Sequence, residues 1–113
     1  TYTPSLLEEI IDVEKINNKV HSIKSKFLNQ KEINYLSGYE ESRNLTRAWT
    51  AKEAIYKALK IPGIIFSENI LIEEFNNEST TGIGKFISSD QETIFKLYFY
   101  DLDDYCLTIS QEI

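Results

Sequence analysis

LTRAWTAKEAIYKALKIPG, running from Leu45 to Gly63, is the stretch on which the reading of this chain turns. Alanines at 48, 51, 54 and 58 favour helix strongly, and Pro62 and Gly63 supply a stop, which predicts a main helix from about Leu45 to Lys60. Ala48, Ala51, Ile55 and Leu59 give it an apolar face for packing, while Trp49, Glu53 and Lys57, spaced four apart, project from another face in a row. A carboxylate and an ammonium beside an indole suit a phosphorylated ligand, the acid holding a metal and the lysine meeting phosphate. Taken alone, the row also reads as an ordinary solvated Glu–Lys helix pair.

The pattern changes on either side of that helix. Before it, Ile10–Val13 is a short apolar run readable as a strand, with Asp12 and Glu14 emerging together at its end. In a strand, residues two apart point to the same side, so these two acids and one from a nearby helix would form the hard oxygen set that suits Mg²⁺. In isolation they are equally two exposed acids. Residues 19–28 place Val20, Ile23, Phe27 and Leu28 at helical spacing. Asn29, with Glu32 three residues on, opens a second short helix through Leu36, which Gly38 stops. After Gly63 come four β-branched and aromatic runs, at 70–75, 82–87, 93–100 and 105–110, separated by turn-forming clusters. A strand, two to three helices and then an antiparallel meander is an α+β fold, expected as a single domain over residues 1–113.

The chain's 113 residues and 42% hydrophobic content are enough for one real core and exclude a disordered tail. No run approaches a membrane span, and no basic-then-apolar leader opens the chain, so the expected partners exclude a membrane. A net charge of −6 argues against a general nucleic-acid binder. The charge is uneven: residues 1–60 carry ten Lys/Arg against eight Asp/Glu, and residues 61–113 carry two against ten. A basic front on an acidic protein suits a small polyanion or an acidic protein, and also fits a plain solvated helical surface. The lone cysteine, Cys106, excludes an internal disulfide and fits a reducing cytoplasm; it reads as a packed thiol. His21, the only histidine, reads as a surface residue rather than a base.

The strand acids, the lysine-rich helix, the pattern Phe27-Leu28-x3-Glu32 and the W-x-x-K-E-A-x-x-K helix follow one another in the order found in 4′-phosphopantetheinyl transferases. From Ile10 to Ser110 the chain resembles the C-terminal half of the surfactin-synthetase-activating type of that family. The resemblance implies Mg²⁺-dependent transfer of phosphopantetheine from coenzyme A to a serine of an acyl or peptidyl carrier protein. It implies Asp12, Glu14 and Glu53 as metal ligands, with Glu53, Lys57 and Glu14 catalytic. Lys57 matches the lysine that meets the coenzyme A phosphates, Trp49 the aromatic beside the site, and Lys52 lies next to the metal acid, so the resemblance implies Lys57, Lys52 and Trp49 as the coenzyme A contacts. The resemblance implies a metal-bound water or an acidic side chain as acceptor for the serine proton, and Glu14 is the candidate for the latter. Lys19, Lys24 and Lys26 would dock an acidic carrier.

The chain departs from the family pattern in three places. Ile10 stands where the family strand has glycine. The front half of the two-half enzymes, with its Ser-His-Ser element, is absent. The C-terminal strand of the short, holo-acyl-carrier-protein-synthase type carries a histidine, whereas residues 105–110 here read YCLTIS. Three expectations follow: a piece trimmed from a two-half enzyme, which the lack of an initiator Met favours; a homo-oligomer whose neighbour supplies the missing surface; or a degenerate, non-catalytic module that binds coenzyme A or a carrier, or assembles with a partner half.

Overall fold

The computed structural model describes residues 9–113; the first eight residues of the expected domain lie outside the described residues. The chain opens with strand β1 (Glu9–Lys15), followed by helices α1 (Lys19–Phe27), α2 (Gln30–Leu36) and α3 (Glu41–Leu59). A single turn of helix, α4 (Phe66–Asn69), leads into strands β2 (Ile70–Ile72), β3 (Thr81–Ser88), β4 (Gln91–Leu102) and β5 (Tyr105–Glu112). The sheet order is β1-β5-β4-β3-β2 and every pairing is antiparallel. The α+β architecture with a meander is therefore as the sequence predicts. Its closing step is long-range: β1 leaves the helices behind and pairs with β5, with Asp12 opposite Thr108 and Glu14 opposite Cys106.

Helices cover one face of the sheet. The core between the layers comprises Val20, Phe27, Leu28 and Leu36 from α1, α2 and their junction, Leu45, Ala48, Ala51 and Ile55 from α3, and Ile72, Phe86, Phe95, Leu97 and Phe99 from the strands. The alanine face of α3 lets that helix lie close on the sheet. Gly84 completes the approach: a Cβ there would meet the Ile55 Cδ1 methyl, so a side chain at this position would force Ile55 to repack against β3.

Three boundaries differ from expectation. Helix α3 begins a turn early, at Glu41, where Glu40 takes a left-handed conformation (φ 57°) that no capping side chain announces. Its end at Leu59, capped by Lys60 in a left-handed conformation (φ 54°), is as expected. Strand β2 stops at Ile72 although Phe75 beyond it is buried. The short α4 has no periodic signal at four residues. The expected cap of α2 is present as a reciprocal capping box, in which Asn29 Oδ1 accepts from Glu32 N–H (2.8 Å) and Glu32 Oε1 accepts from Asn29 N–H (3.0 Å).

Ten of the nineteen residues of α3 are buried, which makes it a central helix rather than a surface one. Five of those ten are polar or charged, so each needs an internal partner. Arg47 donates to Asp101 and to the Asn76 and Asn77 carbonyls, tying the β2–β3 connection and the end of β4 to the helix. Thr50 shares a 2.6 Å hydroxyl contact with Thr108 of β5. Among the described residues the opposite face of the sheet carries no helix and exposes Ile11, Val13, Ile94, Tyr100, Leu102 and Tyr105.

Candidate functional site

The side-chain alternation of β1 turns Asp12 and Glu14 toward the helix layer and Ile11 and Val13 away from it. Because β1 is an edge strand, its inward acids sit at the margin of the core, beside α3. The expected placement at a strand end is thus corrected: Asp12 lies in the middle of a seven-residue strand. Asp12 is 5% exposed, and its Oδ1 accepts from Lys57 Nζ at 2.5 Å. Its Oδ2 is buried with no partner.

Glu53 stands one turn before Lys57 on the same row of α3. Partial burial pushes its carboxyl above the ordinary range; Asp12 and, more weakly, Glu14 push the same way, while Lys57 opposes them. Lys57 is held above the ordinary lysine range, chiefly by its bond to Asp12. Three carboxylates therefore share one ammonium, and a surplus of negative charge remains over a low-dielectric margin. Among the described residues, no three carboxylate, imidazole or thiol groups close into a cation cage. The donor set is nonetheless hard oxygen, and Asp12 Oδ2 is a buried acceptor with no hydrogen-bond partner among the described residues. That chemistry fits Mg²⁺, which takes one or two protein carboxylates and completes its shell with water and phosphate.

Beside the acids lies a groove of about 590 Å³ between α1, α3 and the loop into α4. Its walls are Ile23, Phe27, Trp49, Tyr56, Ile64 and Phe66, with Glu53 and Lys26 among its polar lining residues. In the aromatic wall Phe27 meets Trp49 edge on at 5.1 Å, while Phe66 packs tilted against Trp49 at 5.8 Å and Tyr56 at 5.2 Å between ring centres. Trp49 also lines a smaller pocket of about 260 Å³ with Glu14, Lys15 and Lys19. The indole thus divides an apolar groove from a basic pocket, with the acids alongside both.

Trp49, Glu53, Lys57, Asp12 and Glu14 are brought to one margin of the protein. Lys52 is not. Its side chain is wholly buried (0% exposed), bonded to Glu32 Oε1 at 2.7 Å and to the Phe66 carbonyl at 3.0 Å. It therefore has no surface with which to meet a cofactor, and its expected place among the coenzyme A contacts is corrected. Burial lowers its ammonium pKa while Glu32 beside it acts in the opposite sense. The local spacing could not show this, because 52 lies next to 53 in sequence but about 100° away around the helix.

The groove residues Tyr56 and Phe66 were missed in the sequence. Tyr56, three positions after Glu53 and seven after Trp49, carries a helical signal that would have found it. Phe66 comes from an irregular segment and carries none. Lys24 binds Glu41 at 3.4 Å, whereas Lys26 and Lys19 line the two pockets. His21 is more ordered than a free surface residue: its Nε2 is 2.8 Å from Ser42 Oγ and its Nδ1 3.9 Å from Glu41. Cys106 is packed, as expected, and burial foremost pushes its thiol up to about 11. Among the described residues, no helix is long and apolar enough to cross a membrane.

A protein-family model, described as 4′-phosphopantetheinyl transferase superfamily, matches residues 7–110. No curated protein matches the chain.

Proposed function

The chain belongs to the 4′-phosphopantetheinyl transferase superfamily, and we propose on that footing that its cleft transfers 4′-phosphopantetheine from coenzyme A to a carrier-protein serine with Mg²⁺. The observation that carries this reading is the buried, unpartnered oxygen of Asp12 facing Glu53 and Lys57 at the edge of an apolar groove. A pyrophosphate needs cations, and a pantetheine arm needs a long, weakly polar channel; the two requirements meet at one margin.

In this reading Asp12, Glu14 and Glu53 hold the Mg²⁺. When bound, the ion offsets the charge of the pyrophosphate. Lys57 leaves Asp12 for the phosphate oxygens, a short motion because its side chain is 48% exposed. Trp49, Tyr56 and Phe66 flank the arm and keep water from its amides. The serine Oγ bonds to the β-phosphorus as the bond to the departing adenosine 3′,5′-bisphosphate breaks, and the serine proton passes to Glu14. Lys19 and Lys26, at the two pockets, are where an acidic carrier would bring its serine. Lys24 shares its charge with Glu41 and contributes less.

A second part of the reading concerns assembly. The open sheet face, with Ile11, Val13, Tyr100, Leu102 and Tyr105 exposed, is an apolar area suited to a second copy or a companion half. All of this chemistry belongs in a reducing cytoplasm, which suits the free thiol of Cys106.

The deciding experiment is intact-protein mass spectrometry of an apo carrier incubated with this protein, coenzyme A and Mg²⁺. The expected result is a mass gain of one phosphopantetheine that Glu53→Ala abolishes. No gain, with or without a companion half, would leave a module that binds without catalysing.

A further inference from the structure

The buried pair Glu32–Lys52 touches neither the acids nor the groove cavity, yet it joins α3 and α4, two of the elements that shape the groove, to α2 and β2. Glu32 Oε1 accepts from Lys52 Nζ (2.7 Å) and from Asn29 N–H (3.0 Å), and Oε2 accepts from Ile72 N–H (2.8 Å). Lys52 Nζ donates onward to the Phe66 carbonyl at 3.0 Å. One carboxylate and one ammonium thus connect the start of α2, the middle of α3, the first residue of α4 and strand β2.

Such a pair is not needed for stability as such. Burying two charges is costly, and apolar residues of similar volume often serve as well or better. The connection to Phe66 suggests what the pair does instead. Helix α4 has four residues, too few to hold itself. Around the helix, Lys52 lies on the flank of α3 shared by Trp49 and Tyr56, the two rings against which Phe66 packs. The ammonium therefore fixes the backbone of the one groove aromatic that comes from an irregular segment.

We infer that Glu32 and Lys52 are positioning residues, a buried ion pair that sets the width of the groove by tethering the Phe66 backbone against Trp49 and Tyr56. Its consequence for substrate rests on the groove being the channel of the pantetheine arm: recognition of the arm depends on the pair, and recognition of the nucleotide end does not.

The test exchanges the pair for apolar residues of similar size, Glu32→Leu with Lys52→Met. Trp49 is the only tryptophan, so its emission and its quenching by acrylamide report on the groove directly. The double variant should melt cooperatively like the wild type while Trp49 becomes more quenchable. Its affinity for coenzyme A should fall about tenfold, the scale expected when a supporting group shifts a contact by a fraction of an ångström. Its affinity for adenosine 3′,5′-bisphosphate, which lacks the arm, should not change. A folded double variant with wild-type quenching and wild-type coenzyme A affinity would overturn the inference.

If the double variant does not fold, Glu32→Gln takes its place, read by amide exchange. Faster exchange at Glu68 and Asn69, whose N–H groups bond the Ile65 carbonyl, together with a more quenchable Trp49 and unchanged β4–β5, is the expected outcome. Wild-type exchange and quenching would overturn it. Should the wild type bind no coenzyme A at all, the transferase reading falls by itself, and the quenching comparison still decides the role of the pair.

Discussion

Helix α3 carries two lysines five residues apart, and each is paired with one carboxylate: Lys52 with Glu32, Lys57 with Asp12. The chemistry is the same and the surroundings are opposite. Around Glu32, both oxygens have donors, and its ammonium has a second acceptor in the Phe66 carbonyl. Around Asp12, one oxygen is orphaned, its charge and that of Glu14 press on the neighbouring Glu53, and the lysine is half in solvent. A completed ion pair fixes the position of the elements it joins, whereas an incomplete one leaves an acceptor that a ligand can satisfy. The pair that looks less well built is the one suited to function.

That contrast can be broken most severely at the completed pair. Lys52→Ala leaves Glu32 charged and buried with one partner lost, and should destabilise the protein by about 3–5 kcal/mol in urea unfolding. Lys57→Ala should cost far less, because water can reach the vacated position. Equal losses would erase the distinction drawn between the two lysines.

The next largest effect belongs to the incomplete site and appears in activity rather than stability. Glu53→Ala should lower carrier modification by about a hundredfold or more, equivalent to about 2.7 kcal/mol, with its melting temperature intact. A variant that melts early and loses activity in proportion would make Glu53 a structural residue.

Ligand linkage sharpens the same point at a smaller scale. Mg²⁺ at about ten times its dissociation constant should stabilise the wild type by about 1.4 kcal/mol, read as a rise in melting temperature. Asp12→Asn should lose that response, and Lys52→Met should keep it. A Mg²⁺ shift that survives Asp12→Asn would move the cation site elsewhere.

The smallest expected effect is a pH dependence with a defined sign. The folded protein raises the pKa of Glu53, so it binds that proton more tightly than the unfolded chain does. The associated stability is present below the ordinary carboxylate pKa and is lost as pH rises through the raised value. Without Mg²⁺, Glu53→Gln should therefore melt above wild type at pH 7, with the gain shrinking toward pH 4. A gain that grows on acidification would reverse the electrostatic account of the site.

Much of this arrangement was legible before any coordinates. The alanine-rich run from Ala48 to Ala58 announced the helix, the Asn29–Glu32 spacing announced the capping box, and the β-branched runs after Gly63 announced the meander. Trp49, Glu53 and Lys57 were found because helical periodicity puts them on one row, and Asp12 and Glu14 because strand alternation puts them on one side. Each of these signals is local, carried within a few residues of chain. Local signals failed at Glu40, where a left-handed residue starts α3 without a capping motif, and at Phe66, which sits in a segment too short to have a period.

Elements, their order and the candidate acids were thus determined by the sequence itself, since propensity and periodicity act over one or two turns of chain. Tertiary structure alone decided which lysine faces the cleft. Lys52 and Lys57 have similar neighbours in sequence, and nothing local tells them apart. What separates them is that Glu32 and Phe66, 20 residues before and 14 after Lys52, meet at its ammonium and close it off from water. Likewise Asp12 becomes a buried, half-satisfied acid only because β1 pairs with β5 at the far end of the chain and lies along α3. Burial and hydrogen-bond completeness are properties of what packs around a residue, and in this protein those neighbours come from distant parts of the chain.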